Sequence, residues 1–288
     1  MEQRPELLTL DAPRPAADWV GRPAPTAPAE MRPTLPPRAS PLEVNKTRAA
    51  ERATSLAANL ARRYRGAGAQ EILHAAIADL FHGRIALVSS FGADSAVLLD
   101  LVAKIDPATP VLFIDTGMLF EETLAYRDDL AARLGLTDVR TIGPKPERLA
   151  RLDPENFLWQ SNPDLCCRIR KVEPLAEAIG DFPAWISGRK RFQNAFRAEL
   201  PVFEADGTRI KVNPLADWTA KDVEDYRVAH DLPAHPMVQH GFLSIGCMPC
   251  TSRVKPGEDP RAGRWRGKDK TECGIHMPIA PEAEGSGI

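Results

Sequence analysis

Five cysteines stand in this chain of 288 residues, and their spacing divides them into two chemical groups. Cys166 and Cys167 are adjacent, Cys247 and Cys250 form a Cys-x-x-Cys, and Cys273 stands alone within Glu272-Cys273-Gly274-Ile275-His276. The first four have the pattern of metal ligands and the fifth that of a reactive thiol. Cys-x-x-Cys supplies two thiolates from one turn, and four thiolates commonly hold an iron-sulfur cube. Zinc sites and redox disulfides share the Cys-x-x-Cys spacing, so that pair alone does not decide. Burial of all five as inert residues would make the three spacings a coincidence. A secreted disulfide framework fits an odd count poorly, and with no secretory signal in view the expectation is a reducing, cytoplasmic setting.

The neighbourhood of Cys166 and Cys167 favours a cluster over a single ion. Asn162-Pro163 predicts a helix start with proline at the first helical position, and Ile169, Val172, Leu175 and Ile179 form an apolar stripe over Asp164 to Ile179. Both cysteines then lie in the first turn, where the positive helix end favours thiolates. Successive helical residues diverge by about 100°, so two neighbouring thiols aim poorly at one ion. Separate iron corners of a cube remove that difficulty. Lys171, four residues after Cys167, falls on nearly the same face, where its charge can reach both cluster and substrate. The alternative for Lys171 is a solvated position on an exposed face.

The elements around these residues alternate between helix and strand from about Lys46, the pattern of a parallel sheet covered by helices. Helices are predicted over Ala49–Tyr64, Ala69–Phe81, Asp94–Lys104 and Glu121–Leu134. Strands are predicted over Ile85–Ser89, Val111–Asp115, Val139–Ile142 and Ala184–Ser187. The fold class is therefore α/β, an open and mostly parallel sheet. In such sheets ligands sit beyond the carboxyl ends of the strands. Ser89-Ser90-Phe91-Gly92-Ala93-Asp94-Ser95 leaves the first strand there, and Asp115-Thr116-Gly117 leaves the second. Gly92 can take a positive φ and turn backbone N–H groups toward an anion, while the serine hydroxyls add donors near a helix N-terminus. An ordinary capped strand-to-helix turn uses the same residue types. Arg189, in Ser187-Gly188-Arg189 after a strand, is a further candidate for the substrate.

Composition bounds the partners. The formal net charge of -2 offers no general attraction to nucleic acid, so anion binding must come from local Arg and Lys clusters. No apolar run approaches a membrane span, since Ala96-Val97-Leu98-Leu99 is broken at once by Asp100. Ten of the 27 prolines lie between Pro5 and Pro41, which predicts an extended or disordered tail over residues 1–45. Glu2, Glu6, Asp11 and Asp18 spoil the acid-poor pattern of a targeting peptide there. The predicted organisation is that tail, a nucleotide-binding α/β domain over residues 46–240, and a C-terminal segment over 241–288 carrying the Cys-x-x-Cys and the lone cysteine. The sequence leaves a homo-oligomer open.

The loop from Ser89 to Ser95 resembles the Ser-Gly-Gly-x-Asp-Ser signature of the adenine-nucleotide alpha hydrolase superfamily, with Phe91 in place of the first glycine. A bulky residue there leaves less room to wrap a pyrophosphate, which argues against cleavage of ATP to AMP and pyrophosphate. With Ile114-Asp115-Thr116-Gly117, Leu119-Phe120-Glu121-Glu122-Thr123, Cys166-Cys167, Cys247-x-x-Cys250 and Glu272-Cys273-Gly274-Ile275-His276 in the same order, the chain resembles the assimilatory adenylyl-sulfate reductases of the sulfonucleotide reductase family. The resemblance covers roughly Leu80 to His276. It implies reduction of adenosine 5′-phosphosulfate to sulfite and AMP, a [4Fe-4S] cluster on Cys166, Cys167, Cys247 and Cys250, and thioredoxin or glutaredoxin as electron donor. It places Lys171 near cluster and substrate through the matching Cys-Cys-x-x-x-Lys. Arg261-Ala-Gly-Arg264-Trp265 matches a motif whose arginines grip the phosphosulfate, and guanidinium groups suit bidentate capture of its oxygens.

Cys273 then has a rationale as the nucleophile that attacks sulfur and displaces AMP. His276 is a candidate to bind substrate oxygens or orient the thiol, against a plain structural role. Gly and Pro around this segment suggest a flap that covers the substrate and then opens. Three rivals stand beside this reading: the 3′-phosphorylated nucleotide as substrate, an ATP-dependent enzyme that thiolates RNA, and a metal-stabilised binding or sensor module in which Cys273 is incidental.

Overall fold

The computed structural model describes residues 40–276. Most of the expected proline-rich tail, residues 1–39, and the end of the C-terminal segment, residues 277–288, lie outside the described residues.

Six strands form one sheet: β1 (Ile85–Ser89), β2 (Val111–Ile114), β3 (Val139–Ile142), β4 (Ala184–Ile186), β5 (Phe203–Asp206) and β6 (Arg209–Val212), in the order β3-β2-β1-β4-β6-β5. Every pairing is parallel except that of β5 with β6. The central strands β1, β2 and β4 are apolar almost throughout because side chains from both sheet faces are packed over, as parallel sheets require. The β5–β6 hairpin was not predicted. Its charged residues conceal the strand pattern, yet they pair across it. The buried Lys211 Nζ lies 3.2 Å from Glu204 and 3.7 Å from Asp206, and Gly207 makes the tight turn with φ 61°.

Helix α1 (Pro41–Arg63) begins well before the predicted Ala49. Ser40 and Glu43 form a reciprocal capping box, the Ser40 N–H donating to Glu43 Oε2 at 2.6 Å, and Pro41 occupies the first turn, where its missing N–H does no harm. The helix buries Ala53, Ala57 and Leu60 on one face. The predicted helix over Ala69–Phe81 is α2 (Ala69–His74) followed without a break by a π-helical turn, Ala75–Leu80. Helices α3 (Ser95–Ala103) and α4 (Glu121–Leu134) fall where predicted, α4 ending at Gly135 with φ 66°. Short helices α5 (Pro146–Leu152) and α6 (Leu158–Ser161) lead to α7 (Pro163–Cys167). The predicted single helix over Asp164–Ile179 is interrupted: a π-helical turn, Arg168–Val172, joins α7 to α8 (Glu173–Ala178). Helix α9 (Ala220–Ala229), which was not predicted, carries a capping box of Thr219 with Asp222.

The chain crosses from β1 to β2 on one side of β1, while β4 pairs with β1 on the other. The carboxyl ends of β1 and β4 therefore flank the point where strand order reverses, the usual place for a ligand in an open sheet. The segment after Gly241 returns to this end. It is pinned by a bridge between Thr251 and Arg264 and by the Ser252 N–H donating to Gly263 O at 2.8 Å.

His235 shows how α4 is fixed to the turn Pro236–His240 that leads into that segment. Its Nδ1 accepts from the Met237 N–H at 3.1 Å, which leaves the proton on Nε2 to be donated to Thr123 Oγ1 at 3.0 Å. Burial lowers its pKa to about 4. The unfolded state then binds more protons than the folded state between pH 6.5 and about 4, so this group's contribution falls as pH drops through that window. His235→Gln is expected to flatten the loss of stability over the same interval, by up to about 1.4 kcal/mol per pH unit, as read by urea unfolding at several pH values.

Candidate active site

A cavity of about 700 Å³ opens at the carboxyl ends of β1 and β4. The loop after β1 contributes Ser89, Ser90, Gly92, Ala93, Asp94 and Ser95, and the loop after β4 contributes Ser187, Gly188, Arg189 and Lys190. Thr116, Lys171, Arg197, Arg261, Arg264, Cys273 and His276 complete the wall around its charged end. The serine loop, the arginines and the lone thiol thus meet in one space.

Several expectations need correction. Phe91, not Gly92, takes the positive φ, at 46°. Its ring does not line the cavity but is fully buried, edge-on to Phe113 at 5.5 Å. The bulk that was expected to crowd the anion site is a core anchor instead. The turn is held by the Phe91 N–H donating to Ser89 Oγ at 3.2 Å. Gly92 matters for space, since a Cβ there would lie 3.3 Å from Ile245 O. Asp115 and Gly117 do not line the cavity either: the Asp115 carboxylate accepts from the Gly117 N–H at 2.9 Å and closes the turn that presents Thr116. Asp94 accepts from the buried Lys190 ammonium at 3.1 Å rather than capping α3. Arg189 is engaged by Ser187, Asn213 and Glu204.

The four remaining thiols gather on two segments beside this wall. Cys166, Cys167 and Cys247 are buried and Cys250 is partly exposed. Burial raises Cys166 to about 12, reinforced by the charge of Cys167, and raises Cys167 to about 11 against the pull of Lys171. Burial also acts on Cys247, but Lys171, a hydrogen bond with Thr116 at 3.2 Å and Arg264 outweigh it and hold its pKa below the usual thiol value. Cys250 is raised by burial and by Cys247. Each thiol therefore feels others in the set. Among the described residues no three His, Cys, Asp or Glu side chains form a site for one metal ion. Four thiols from two segments are a donor set that suits a cluster with one iron at each thiol.

Lys171 joins this group to Cys273. It lies within the π-helical turn, and its charge still reaches Cys167, as the four-residue spacing implied. Burial disfavours its charge, yet the sulfurs of Cys247, Cys273 and Cys167 raise its pKa overall. Arg264 is the second cation near Cys273. Its Nη1 donates to Ile245 O at 3.1 Å and its guanidinium lies 4.4 Å from the Trp265 ring. Arg261 Nη2 donates to Thr271 O at 3.0 Å. His276 is stacked on Trp185 at 5.7 Å and 5°. Burial, then Arg189, Lys211, Arg197 and Arg261, lower its pKa well below the usual value, so it serves as a neutral imidazole rather than a cation.

Residues 84–253 match the model of the phosphoadenosine phosphosulfate reductase domain. The chain belongs to this family. The match contains the serine loop and the four clustered thiols, while Arg261, Arg264 and Cys273 follow it. An adenosine 5′-phosphosulfate reductase of Mesorhizobium japonicum is 59% identical over 207 residues, covering 72% of this chain and 82% of that protein. A phosphoadenosine 5′-phosphosulfate reductase of Gloeobacter violaceus is 42% identical over 227 residues, 76% of this chain and 92% of that one. The crystal structure of phosphoadenylyl-sulfate reductase from Candida auris, a phosphate complex, superposes with a TM-score of 0.58 at 28% identity, covering 69% of this chain and 96% of that one. The open sheet is thus the fold of a reductase of this family.

Four residues of this family member's site escaped the sequence reading. Lys190 and Arg197 line the cavity. The run Arg189-Lys190-Arg191 after a strand was a usable signal for Lys190; nothing local marks Arg197. Arg170 and Asp153 form a buried ion pair at 2.7 Å, and Arg170 also donates to Thr116 O at 2.8 Å and Asn156 Oδ1 at 2.7 Å. This network holds the Thr116 turn from behind. A distant buried partner such as Asp153 leaves no trace in residue spacing.

Gly246 is what lets Arg264 reach the cavity, because a Cβ at this position would lie 2.6 Å from the Arg264 Cζ. Gly246→Ala is expected to displace the guanidinium and weaken binding of AMP by about tenfold to a hundredfold, the loss of a charge-assisted hydrogen-bonding group. Calorimetric titration of the variant against the unmodified protein checks this.

Proposed function

We propose that this reductase converts adenosine 5′-phosphosulfate to sulfite and AMP, with Cys273 as nucleophile and a dithiol protein of the thioredoxin or glutaredoxin type as electron donor. The observation that carries the reading is the position of Cys273: it lines the same cavity as the serine loop, close to Lys171 and Arg264. The adenosine end is assigned to the loop after β1, and the phosphosulfate to Lys171, Arg261 and Arg264. The apolar portion of the cavity, including Leu98, Leu119 and Leu215, suits a purine, while the cations suit phosphate and sulfate oxygens.

In the first step the Cys273 thiolate attacks the sulfonyl sulfur. The bond from sulfur to the bridging phosphate oxygen breaks, and AMP departs with the electron pair. The product is a cysteine S-sulfonate on Cys273. Lys171 and Arg264 offset the negative charge of the thiolate and of the group it approaches. A thiolate of the donor then attacks Cys273 Sγ. Sulfite leaves with the electron pair, and the donor's second thiol resolves the mixed disulfide. Two electrons thus pass from the dithiol to sulfur. A free thiol nucleophile that relies on such a donor implies a cytoplasmic setting.

Cys166, Cys167, Cys247 and Cys250 are the proposed ligands of a [4Fe-4S] cluster. When bound it supplies a fixed charge beside Lys171 and ties α7 to the Cys-x-x-Cys segment. Lys171 orients the substrate from this position, and Thr116 holds Cys247 through its hydroxyl.

Intact mass spectrometry of anaerobic protein incubated with adenosine 5′-phosphosulfate and no reductant is expected to show the mass of one added SO₃ group. Cys273→Ser is expected to abolish both the adduct and sulfite release while the cluster absorbance persists. The Gloeobacter violaceus relative acts by name on the 3′-phosphorylated nucleotide. The ratio of kcat/KM for the two nucleotides is expected to favour the unphosphorylated one, and an equal or reversed ratio would assign the other substrate.

A further inference from the structure

Glu272, immediately before the nucleophile, is the most heavily engaged carboxylate in the cavity wall. Arg197 grips it with two hydrogen bonds, Nε to Oε1 and Nη2 to Oε2, each 2.8 Å. Asn194 Nδ2 donates to Oε1 at 2.6 Å, and Arg261 Nη2 stands 3.8 Å from Oε2. Arg197 is itself prepositioned. The Asn194 side chain caps the turn by accepting from the Arg197 N–H at 3.1 Å, and Gln193 bonds the guanidinium. The whole turn hangs from the loop after β4, where Lys190 N–H donates to Gln193 Oε1 at 3.2 Å. A rigid path thus runs from the sheet to the residue that precedes Cys273. On the other side of the thiol the backbone is held differently, with Gly274 at φ 89°.

Resting on the function proposed above, the reaction asks two things of Cys273. It must face the cavity to attack the substrate, then face a protein donor too large to enter. A bidentate Arg–carboxylate pair is among the most directional contacts available to a side chain. We infer that Glu272 is a positioning residue: its clasp by Arg197 and Asn194 holds the Cys273 segment in the attacking arrangement and must open before the donor thiol reaches the S-sulfonate. Glu272 touches no reacting atom in this role. It acts by fixing the segment that bears the nucleophile, and small displacements of a nucleophile are costly in rate.

The two half-reactions separate this role from a general structural one. In single-turnover experiments on the cluster-loaded protein, Glu272→Gln is expected to slow S-sulfonate formation by at least about tenfold. The same substitution is expected to speed discharge of the preformed adduct by dithiothreitol several-fold. Glu272→Asp, which keeps the charge, should fall between. Asn194→Asp sets a second carboxylate against Glu272 without altering the Cys273 segment, and should give the same opposed pair of changes. It carries the test if Glu272→Gln fails to fold. Equal slowing of both steps, no change in either, or a lower KM with both rates unaltered would overturn the inference. If the unsubstituted protein forms no adduct, the proposed function falls as well. If it forms the adduct normally and the variants match it, only the role of Glu272 falls.

Discussion

One ammonium group, that of Lys171, lies within the electrostatic reach of Cys247, Cys167 and Cys273 at once. A partly buried cation of this kind is favoured where negative charge surrounds it, and a thiolate in a poorly hydrated place needs a cation equally. Lys171 and Cys247 therefore stabilise each other's ionised state. The rest of the fold can be seen as the means of bringing them together: the sheet end supplies the floor, α7 and its π-helical continuation deliver Cys166, Cys167 and Lys171, and the returning segment brings Cys247, Arg264 and Cys273.

The π-helical turn between Arg168 and Val172 is central to that delivery. A π turn spends an extra residue and changes which neighbours share a face, and such turns are found disproportionately at functional sites. Here it carries Arg170 and Lys171 in succession. Arg170 is committed to the buried Asp153 and the Thr116 carbonyl, while Lys171 faces the thiols. Adjacent cations thus do separate work, one building the wall and the other charging the cavity.

Much of this was legible from residue types and spacing. The apolar runs of β1, β2 and β4 and the helical stretch Glu121–Leu134 were strong because burial on both sheet faces and regular periodicity leave plain patterns. The β5–β6 hairpin was hidden because Lys211, Glu204 and Asp206 satisfy one another within it, so charge did not signal exposure. Grouping of Ser89, Ser90, Arg261, Arg264 and Cys273 around one cavity followed from motif content. What motif content could not convey was side-chain direction. Phe91 turns inward, Asp115 serves its own turn, and His276 lies flat on Trp185. Those orientations arise from packing partners scattered along the chain.

The Arg264 guanidinium occupies the volume that a side chain at Gly246 would need. The anion-binding wall thus includes a position with no functional group at all, whose contribution is vacant volume. A search for active-site determinants confined to charged or nucleophilic residues would pass over it, although a single methyl group there would force the guanidinium to move.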